Sequence, residues 1–270
     1  MKNLVQDSYA VNPPSPSFPS PSYQSIDTIG CKDDAYPSQL KKVASAPPAL
    51  FAKGDLAPGV PRAAVIGTRK PSSSSLTLTR DLVGGLVQLG YSITSGLALG
   101  VDAQAHRAAF DAEGHTVAVL PCGIERIYPS SHRALAQGIV GSGGALLSEH
   151  SGDERPTRWS FVWRNRLISG MSDAVFFVEG ALKSGSMHTA RYALLQGRPL
   201  YVPVRTLDGI EGLSGGARVL VELKGPELAQ RVHAKGHFRE ILEYRFEDRP
   251  VAQVLSLDAL DLICGVEEVV

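Results

Sequence analysis

The segment GALKSGSMHTA, Gly180–Ala190, combines two glycines, a lysine, a histidine and three hydroxyl side chains directly after the apolar run AVFFVE. Glycine allows a backbone to approach a ligand closely. The free N–H groups at the start of a helix attract an anion. The segment is therefore interpreted as a phosphate-binding loop, with a catalytic loop and a plain strand-to-helix turn as the alternatives.

Four other polar segments follow apolar, strand-like runs: GTRKPSSSS, SGLALGVDAQAH, PCGIERIYPSSH and EHSGDERPTRWSFVWRNRLISG. In open parallel sheets, ligands bind beyond the carboxyl ends of the strands, where such segments meet. The chain as a whole is neutral, with 27 Lys plus Arg against 27 Asp plus Glu. Its composition gives no global attraction to nucleic acid. A local anion site is predicted from the cations on or beside these segments: Arg69, Lys70, Arg158, Arg164, Arg166, Lys183 and Arg191.

The elements that must position these residues alternate between short apolar strands and helical patterns from Ala63 to Val204. This alternation predicts an α/β fold with a doubly wound, mostly parallel sheet and helices on both faces. Residues 1–35 are predicted to be a disordered leader because proline and serine dominate its sequence VNPPSPSFPSPSYQS. Residues 36–222 form the predicted domain. Residues 223–270 form a short extension, either a helix packed back on the domain or a protomer contact.

Three aromatic residues, Trp159, Phe161 and Trp163, stand beside arginines in RWSFVWRNR. Bases of single-stranded nucleic acid stack on aromatic side chains while cations follow the phosphates. These residues are therefore candidates for base stacking. The alternative is that Phe161 and Trp163 are wedged into the core beside the sheet.

Evidence for catalysis or for a metal is weak. Asp102 and His106 are one helical turn apart, but the aspartate is better explained as a helix cap. The three cysteines are too widely spaced for a disulfide framework or a zinc site. No dinucleotide or P-loop motif is present. We expect no enzyme activity, cofactor or metal. With no signal peptide and no membrane-length apolar run, we expect a cytoplasmic location.

Six ordered motifs resemble the DprA/Smf family of DNA-processing proteins over about Tyr36 to Val204: YPSQLKKVASAPPALFAKGD, GTR, SGLALGVDAQAH, LPCGIERIYPSSHRAL, LLSEH and WRNRLISGMSDAVFFVEGALKSGSMHTARYALLQGRPLYVPV. The resemblance implies a Rossmann-like domain that dimerises and binds single-stranded DNA. It also implies protection of incoming DNA and loading of the RecA recombinase in natural transformation or recombination. The partners implied are thus single-stranded DNA, RecA and a second copy of the chain.

The resemblance and the loop chemistry together give a predicted nucleic-acid and phosphate site. The resemblance supplies the arginine of GTR, the arginines of RNR and the SGS loop. The complete predicted set is Gly67, Thr68, Arg69, Lys70, Ser95, Gly96, Gly100, Arg164, Asn165, Arg166, Lys183, Ser184, Gly185, Ser186 and Thr189.

The sequence departs from the family pattern at Leu99, where an arginine is usual, and at Gly212–Val221, and it shows no winged-helix pattern. A second resemblance supplies an alternative function. The opening loop occupies the place of the PGGxGTxxE loop of lysine-decarboxylase-like phosphoribohydrolases, but Thr189 stands where their glutamate would be. The alternative is therefore a small-nucleotide sensor or a phosphoribohydrolase-like enzyme that uses the same cleft.

Overall fold

The computed structural model describes residues 25–205 and 211–260. Residues 1–24, 206–210 and 261–270 lie outside the described residues, and with them most of the predicted leader and Cys264. Within the described parts, no helix is both long and apolar enough to cross a membrane.

The strands form one sheet in the order β1-β2-β6-β5-β4-β3-β7-β8-β9. The seven strands β6, β5, β4, β3, β7, β8 and β9 pair in parallel. At the edge of the sheet, β1 pairs antiparallel with β2, and β2 pairs antiparallel with β6. This confirms the predicted α/β fold. The strand bounds are β1 Asp27–Gly30, β2 Ala49–Gly54, β3 Arg62–Ile66, β4 Ser92–Ser95, β5 Thr116–Val119, β6 Ala145–Ser148, β7 Ala174–Phe177, β8 Leu200–Val204 and β9 Gln253–Ser256.

Helices cover both faces of the sheet. In chain order they are α1 Ser38–Lys41, α2 Ser73–Gln88, α3 Val101–Asp111, α4 Arg133–Gly141, α5 Arg158–Gly170, α6 Gly185–Leu195, α7 Gly215–Glu222, α8 Gly225–Arg231 and α9 Gly236–Arg245. Strand β7 shows how the faces are filled, because side chains alternate along a strand. Val175 and Phe177 join the core that includes α5 and α6, whereas Phe176 and Val178 join the core of α2 and α3.

Helix α5 is missing from the sequence prediction, although it carries the RNR motif. Its start is fixed by a capping box, in which Thr157 and Ser160 exchange side-chain-to-backbone hydrogen bonds. From Arg164 onward, every residue of the helix is buried, including two arginines and an asparagine. A helix that buries polar side chains all round lacks the single apolar stripe by which helices are recognised.

Both predicted domain boundaries need correction. Asp27–Gly30, within the predicted disordered leader, forms strand β1 and pairs with β2. At the other end, Gln253–Ser256 pairs with β8, so these residues of the predicted extension belong to the same sheet. The preceding helices α8 and α9 contribute Leu228, Phe238 and Leu242 to the main core. These segments have little hydrophobic pattern of their own. Each one completes an edge or a face of a sheet whose other strands and helices come from the middle of the chain.

Candidate nucleic-acid interface

Loops at the carboxyl ends of four neighbouring parallel strands meet at one edge of the sheet. We call this edge the carboxyl rim and define it by the loops 67–72, 96–100, 121–129 and 179–184. The chain leaves β3 toward β4 on one side and returns through β7 on the other. The reversal of strand order between β3 and β7 is the place where doubly wound folds bind ligands.

The rim loops are locked to each other by backbone hydrogen bonds. Thr68 N donates to Glu179 O at 2.7 Å, and Val101 N donates to Thr68 O at 3.1 Å. Gly100 has a φ of 82°, and a Cβ there would lie 2.3 Å from Thr68 O, so glycine is required. Thr68 is one of the predicted phosphate-binding residues, but its N–H group is already paired within the fold and is not free to hold a phosphate.

Arg69 is the cation that the rim presents most directly. Its side chain is exposed and forms no ion pair with any residue in 25–205 or 211–260. The guanidinium carbon lies 5.5 Å from the centroid of the Phe161 ring, and Phe161 packs edge-on against Tyr128 at 5.2 Å. Lys70, the next residue, is also exposed. A free cation beside aromatic rings is the combination that single-stranded nucleic acid requires.

A small pocket of about 60 Å³ opens beside Arg69. Its wall consists of Arg69, Gly96, Ala98, Leu99, Tyr128, Pro129, Phe161 and Arg164. Leu99 and Tyr128 are 49% and 43% exposed, so the pocket has an open apolar side. The departure at Leu99 therefore places an apolar side chain, and not a second cation, next to Arg69.

Arg164 lies beneath this pocket and is only 6% exposed. Its Nη1 donates to Gly96 O at 2.8 Å and also to Val119 O. Burial, together with Arg69, lowers its pKa to about 10, while Asp102 opposes that shift. A guanidinium that satisfies two buried carbonyls is part of the framework. The predicted direct phosphate contact by Arg164 is corrected to a supporting charge below the pocket.

Arg166 is 1% exposed, and its Nη2 lies 2.5 Å from Glu149 Oε1. Its guanidinium also lies under the Trp163 ring, 4.2 Å from the centroid. The predicted phosphate contact by Arg166 is therefore corrected as well, because its charge is already balanced and removed from solvent. RNR reads as a cationic patch in sequence, but the second half of α5 is enclosed on all sides, so both arginines are buried although they point to opposite sides of the helix.

The pair Asp102 and His106 is structural. Asp102 Oδ2 accepts hydrogen bonds from Gly96 N at 3.2 Å and Ala98 N at 3.4 Å. The aspartate thus fastens the neighbouring rim loop, and it does not cap its own helix as predicted. His106 is fully buried, with Nδ1 2.7 Å from Thr116 Oγ1. Burial, with the nearby charges of His132 and Arg164, lowers its pKa to about 3. A histidine sealed from solvent cannot serve as a catalytic base.

We expect His106 to lower the free energy of unfolding as the solution becomes more acidic. The folded protein holds His106 neutral down to about pH 3, whereas an unfolded histidine takes up a proton below about pH 6.5. Stability is therefore lost from pH 6.5 downward, by about 2 kcal/mol at pH 5. Denaturant unfolding of His106→Gln should show a correspondingly shallower loss between pH 7 and pH 5. Identical pH profiles for the two proteins would contradict the assignment.

The loop GALKSGSMHTA forms the turn into α6. Lys183 and Gly185 are exposed, and Ser184 is the N-cap residue of the helix, with its Oγ 2.8 Å from Ser186 Oγ. Asn165 Nδ2 donates to Gly185 O at 3.4 Å, which ties the loop to α5. Ser186, Thr189 and Asn165 are buried. The loop therefore offers Lys183 and the first N–H groups of α6 to an anion, while its other polar side chains hold its shape.

Glu179 fills the start of α2, at the reversal of strand order. Its Oε2 accepts hydrogen bonds from Ser72 N at 2.9 Å and Ser72 Oγ at 3.2 Å. Ser72 is the N-cap residue of α2, so a carboxylate of the chain stands at the helix start, where a nucleotide phosphate would bind. Two negative groups at this position would repel each other. No sequence pattern indicates this contact, because the two residues are 107 positions apart.

The predicted stacking residues occupy two different environments. Phe161 is half-buried and lines the pocket beside Arg69, so it is neither free nor part of the main core. Trp159 is 82% and Trp163 48% exposed. The predicted alternative of core wedging is wrong for Trp163. Ser95, by contrast, is fully buried and donates to Val65 O, so it supports the rim from below. Within the described residues, no group of three or more His, Cys, Asp or Glu side chains could hold a metal ion.

Comparison with known proteins gives the family. The family model described as DNA recombination-mediator protein A matches residues 27–230. The chain belongs to this family. Its match begins at the first residue of β1, and so includes the antiparallel edge of the sheet.

Named relatives of this family include DNA processing protein DprA of Bacillus subtilis (strain 168), 39% identical over 70% of this chain and 64% of its own length. Protein Smf of Escherichia coli (strain K12) is 42% identical over 64% of this chain and 46% of its length. DprA of Streptococcus pneumoniae is 35% identical over 75% of this chain and 71% of its length. The chain thus spans about half to two thirds of the first two relatives.

Two solved structures of family members resemble the fold. The X-ray structure of DprA from Streptococcus pneumoniae has a TM-score of 0.66 and 28% identity, and the match covers 91% of this chain and 76% of that one. The DprA structure from Helicobacter pylori, described for its single-stranded DNA binding mode, has a TM-score of 0.63 and 31% identity. That match covers 84% of this chain and 98% of that one.

Proposed function

We propose that the protein binds single-stranded DNA at the carboxyl rim. The observation that carries the proposal is Arg69, an exposed cation without an ion-pair partner in the described residues, standing over Phe161 beside an apolar pocket. Lys70 and Lys183 lie on loops after the adjacent strands β3 and β7, and both are exposed. The DNA-binding structure of the Helicobacter pylori relative supports the same ligand.

In the cell, this binding would protect incoming DNA and assist recombinase loading in natural transformation or recombination. The support is family membership in the recombination mediators. We therefore propose RecA and a second copy of the chain as partners. We also propose that the protein acts in the cytoplasm. These proposals concern the whole protein, whereas the chain matches 46–64% of its first two relatives.

A non-enzymatic role is supported by the state of three residues that a hydrolytic site could have used. His106 is buried, Glu179 is engaged by Ser72, and Thr189 is 2% exposed where a phosphoribohydrolase would carry its glutamate. None of these side chains is free to exchange a proton with a substrate in the rim. Glu179 also argues against the alternative of a small-nucleotide site, because its carboxylate stands at the start of α2.

A length series separates the two functions. Thermal shift and fluorescence anisotropy would compare thymidine monophosphate with oligothymidylates of increasing length at fixed nucleotide concentration. We expect affinity to rise with length and fall steeply with salt, since each phosphate neutralised releases a counterion. Saturable stabilisation by the mononucleotide, with no further gain from longer chains, would instead support the small-nucleotide sensor. Release of ribose phosphate would identify a hydrolase.

A further inference from the structure

Helix α5 carries a second aromatic surface, separate from the pocket beside Arg69. Trp159 and Trp163 are four residues apart and therefore lie on one side of the helix. We call these two residues the tryptophan face. Trp159 is 82% exposed and Trp163 is 48% exposed, and they are the only tryptophans of the chain. Exposure of both tryptophans on one helix side leaves a large apolar surface that nothing in the described residues covers.

Trp163 is supported from inside the protein. The Arg166 guanidinium lies 4.2 Å from the ring centroid, and Arg166 is itself held by Glu149 at 2.5 Å. One side of the indole therefore rests on a buried, fixed cation, while the ring remains about half exposed. Such support restricts the side-chain rotation that a stacking partner would otherwise have to freeze. The arrangement presents a pre-oriented platform for a flat ligand.

Two exposed arginines lie at and just before the start of α5, next to Asp153 and Glu154, which pair with Arg126 and His150. Phe161 and Trp163 are two residues apart, so they point to nearly opposite sides of α5. Arg158, the first residue of α5, and Arg155, three residues before it, are both exposed. Neither forms an ion pair with a residue in 25–205 or 211–260. The helix is about 10–12 Å thick with its side chains, a distance that a few nucleotides cross.

We propose that Trp163, supported by Arg166, is a second base-stacking position, which takes a base of the same single strand that binds at Arg69. The strand would pass over the start of α5, with its phosphates near Arg155 and Arg158. This inference rests on the proposed function and extends it, because it names a footprint longer than the pocket. The occupant is a nucleobase of single-stranded DNA, chosen because Arg69 stands beside the pocket and because Arg155 and Arg158, without ion pairs in the described residues, lie near the start of the helix that carries Trp163.

The test uses the fluorescence of a single tryptophan. Trp159→Phe leaves Trp163 as the sole tryptophan of the chain. Titration with oligothymidylates should quench this fluorescence only when the strand is long enough to reach from the pocket. Short oligothymidylates should bind and displace the long ones without quenching. Trp163→Ala should weaken binding of long strands by about 5- to 100-fold, and Trp163→Phe should restore most of the loss.

A matched control is Tyr244→Ala, which removes an aromatic residue of α9 that is 87% exposed. We expect it to bind every oligonucleotide as the unchanged protein does. If long strands bind in an Arg69-dependent way but neither quench Trp163 nor respond to Trp163→Ala, the second stacking position is overturned and the proposed function stands. If no oligonucleotide binds at all, the proposed function itself fails. Equal quenching by thymidine monophosphate would also overturn the continuous strand path.

Discussion

Replacing Arg69 with glutamate is expected to weaken single-stranded DNA binding by roughly 10- to 100-fold, the range of a charge-assisted hydrogen bond. The side chain is exposed, forms no ion pair in the described residues, and stands over the Phe161 ring. The reversed charge would repel the phosphate that the arginine attracts. The loss should be similar for all base sequences, because phosphate contacts carry no sequence information. Fluorescence anisotropy with labelled oligonucleotides at fixed salt measures it.

Arg107→Glu is the matched control for this prediction. Arg107 is an exposed arginine in the second half of α3, which runs from the carboxyl rim toward the opposite edge of the sheet. The same change of charge there should alter affinity only slightly. A milder variant, Arg69→Ala, should reduce the slope of log affinity against log salt by about 0.7, one phosphate's share for a single strand. Equal affinities for Arg69→Glu and the unchanged protein would exclude the proposed site.

Replacing Arg164 with methionine is expected to destabilise the fold by about 3 kcal/mol, through the loss of hydrogen bonds to two buried carbonyls. These acceptors, Gly96 O and Val119 O, end the neighbouring strands β4 and β5. Burial raises the pKa of Asp102, and the charge of Arg164 opposes that shift. The substitution removes this opposing charge. Denaturant unfolding, followed by circular dichroism, measures the change in the free energy of unfolding.

Two variants distinguish support from direct contact. Arg107→Met removes an exposed arginine and should change stability by no more than about 0.5 kcal/mol. Asp102→Asn should cost less in the Arg164→Met protein than alone, because the two charges interact. If Arg164→Met leaves the free energy of unfolding unchanged but abolishes oligonucleotide binding, Arg164 is a phosphate contact. The framework role assigned to it would then be wrong.

The parallel sheet was predictable because its strands are buried on both faces. Runs such as AVFFV and TVAVL, with helical patterns between them, indicate parallel strands that are buried on both faces. The loops that form the rim were predictable for a related reason. The carboxyl ends of parallel strands share one edge, so the order of strands along the chain already brings Arg69, Gly100 and Lys183 to that edge.

The direction of individual side chains was not predictable. Arg164 and Arg166 are two residues apart in a motif rich in cations, and both turn inward to acceptors far away in the chain. Burial of an arginine depends on a carbonyl or carboxylate that only the folded chain supplies. Glu179 at Ser72 is a second example. Strands β1 and β9 were missed because short edge strands carry little hydrophobic pattern of their own.

The corrections reduce the number of residues that can contact DNA, but the proposed site stays at the carboxyl rim. Of the predicted cations, Arg69, Lys70 and Lys183 remain exposed on the rim, while Arg164 lies directly below the pocket. The loop of Gly180–Ala190 supplies one of these cations and a helix start, and its buried hydroxyls hold it in place. The account therefore depends on a small number of exposed groups at one edge of the sheet.

Photochemical cross-linking tests this central claim most directly. An oligonucleotide that carries 5-iodouracil at single positions would be irradiated on the protein, and the cross-linked peptides identified by mass spectrometry. We predict cross-links at the aromatic residues of the pocket beside Arg69, Tyr128 and Phe161, and at Trp163 from positions further along the strand. Cross-links confined to α8, α9 or the opposite edge of the sheet would contradict the account.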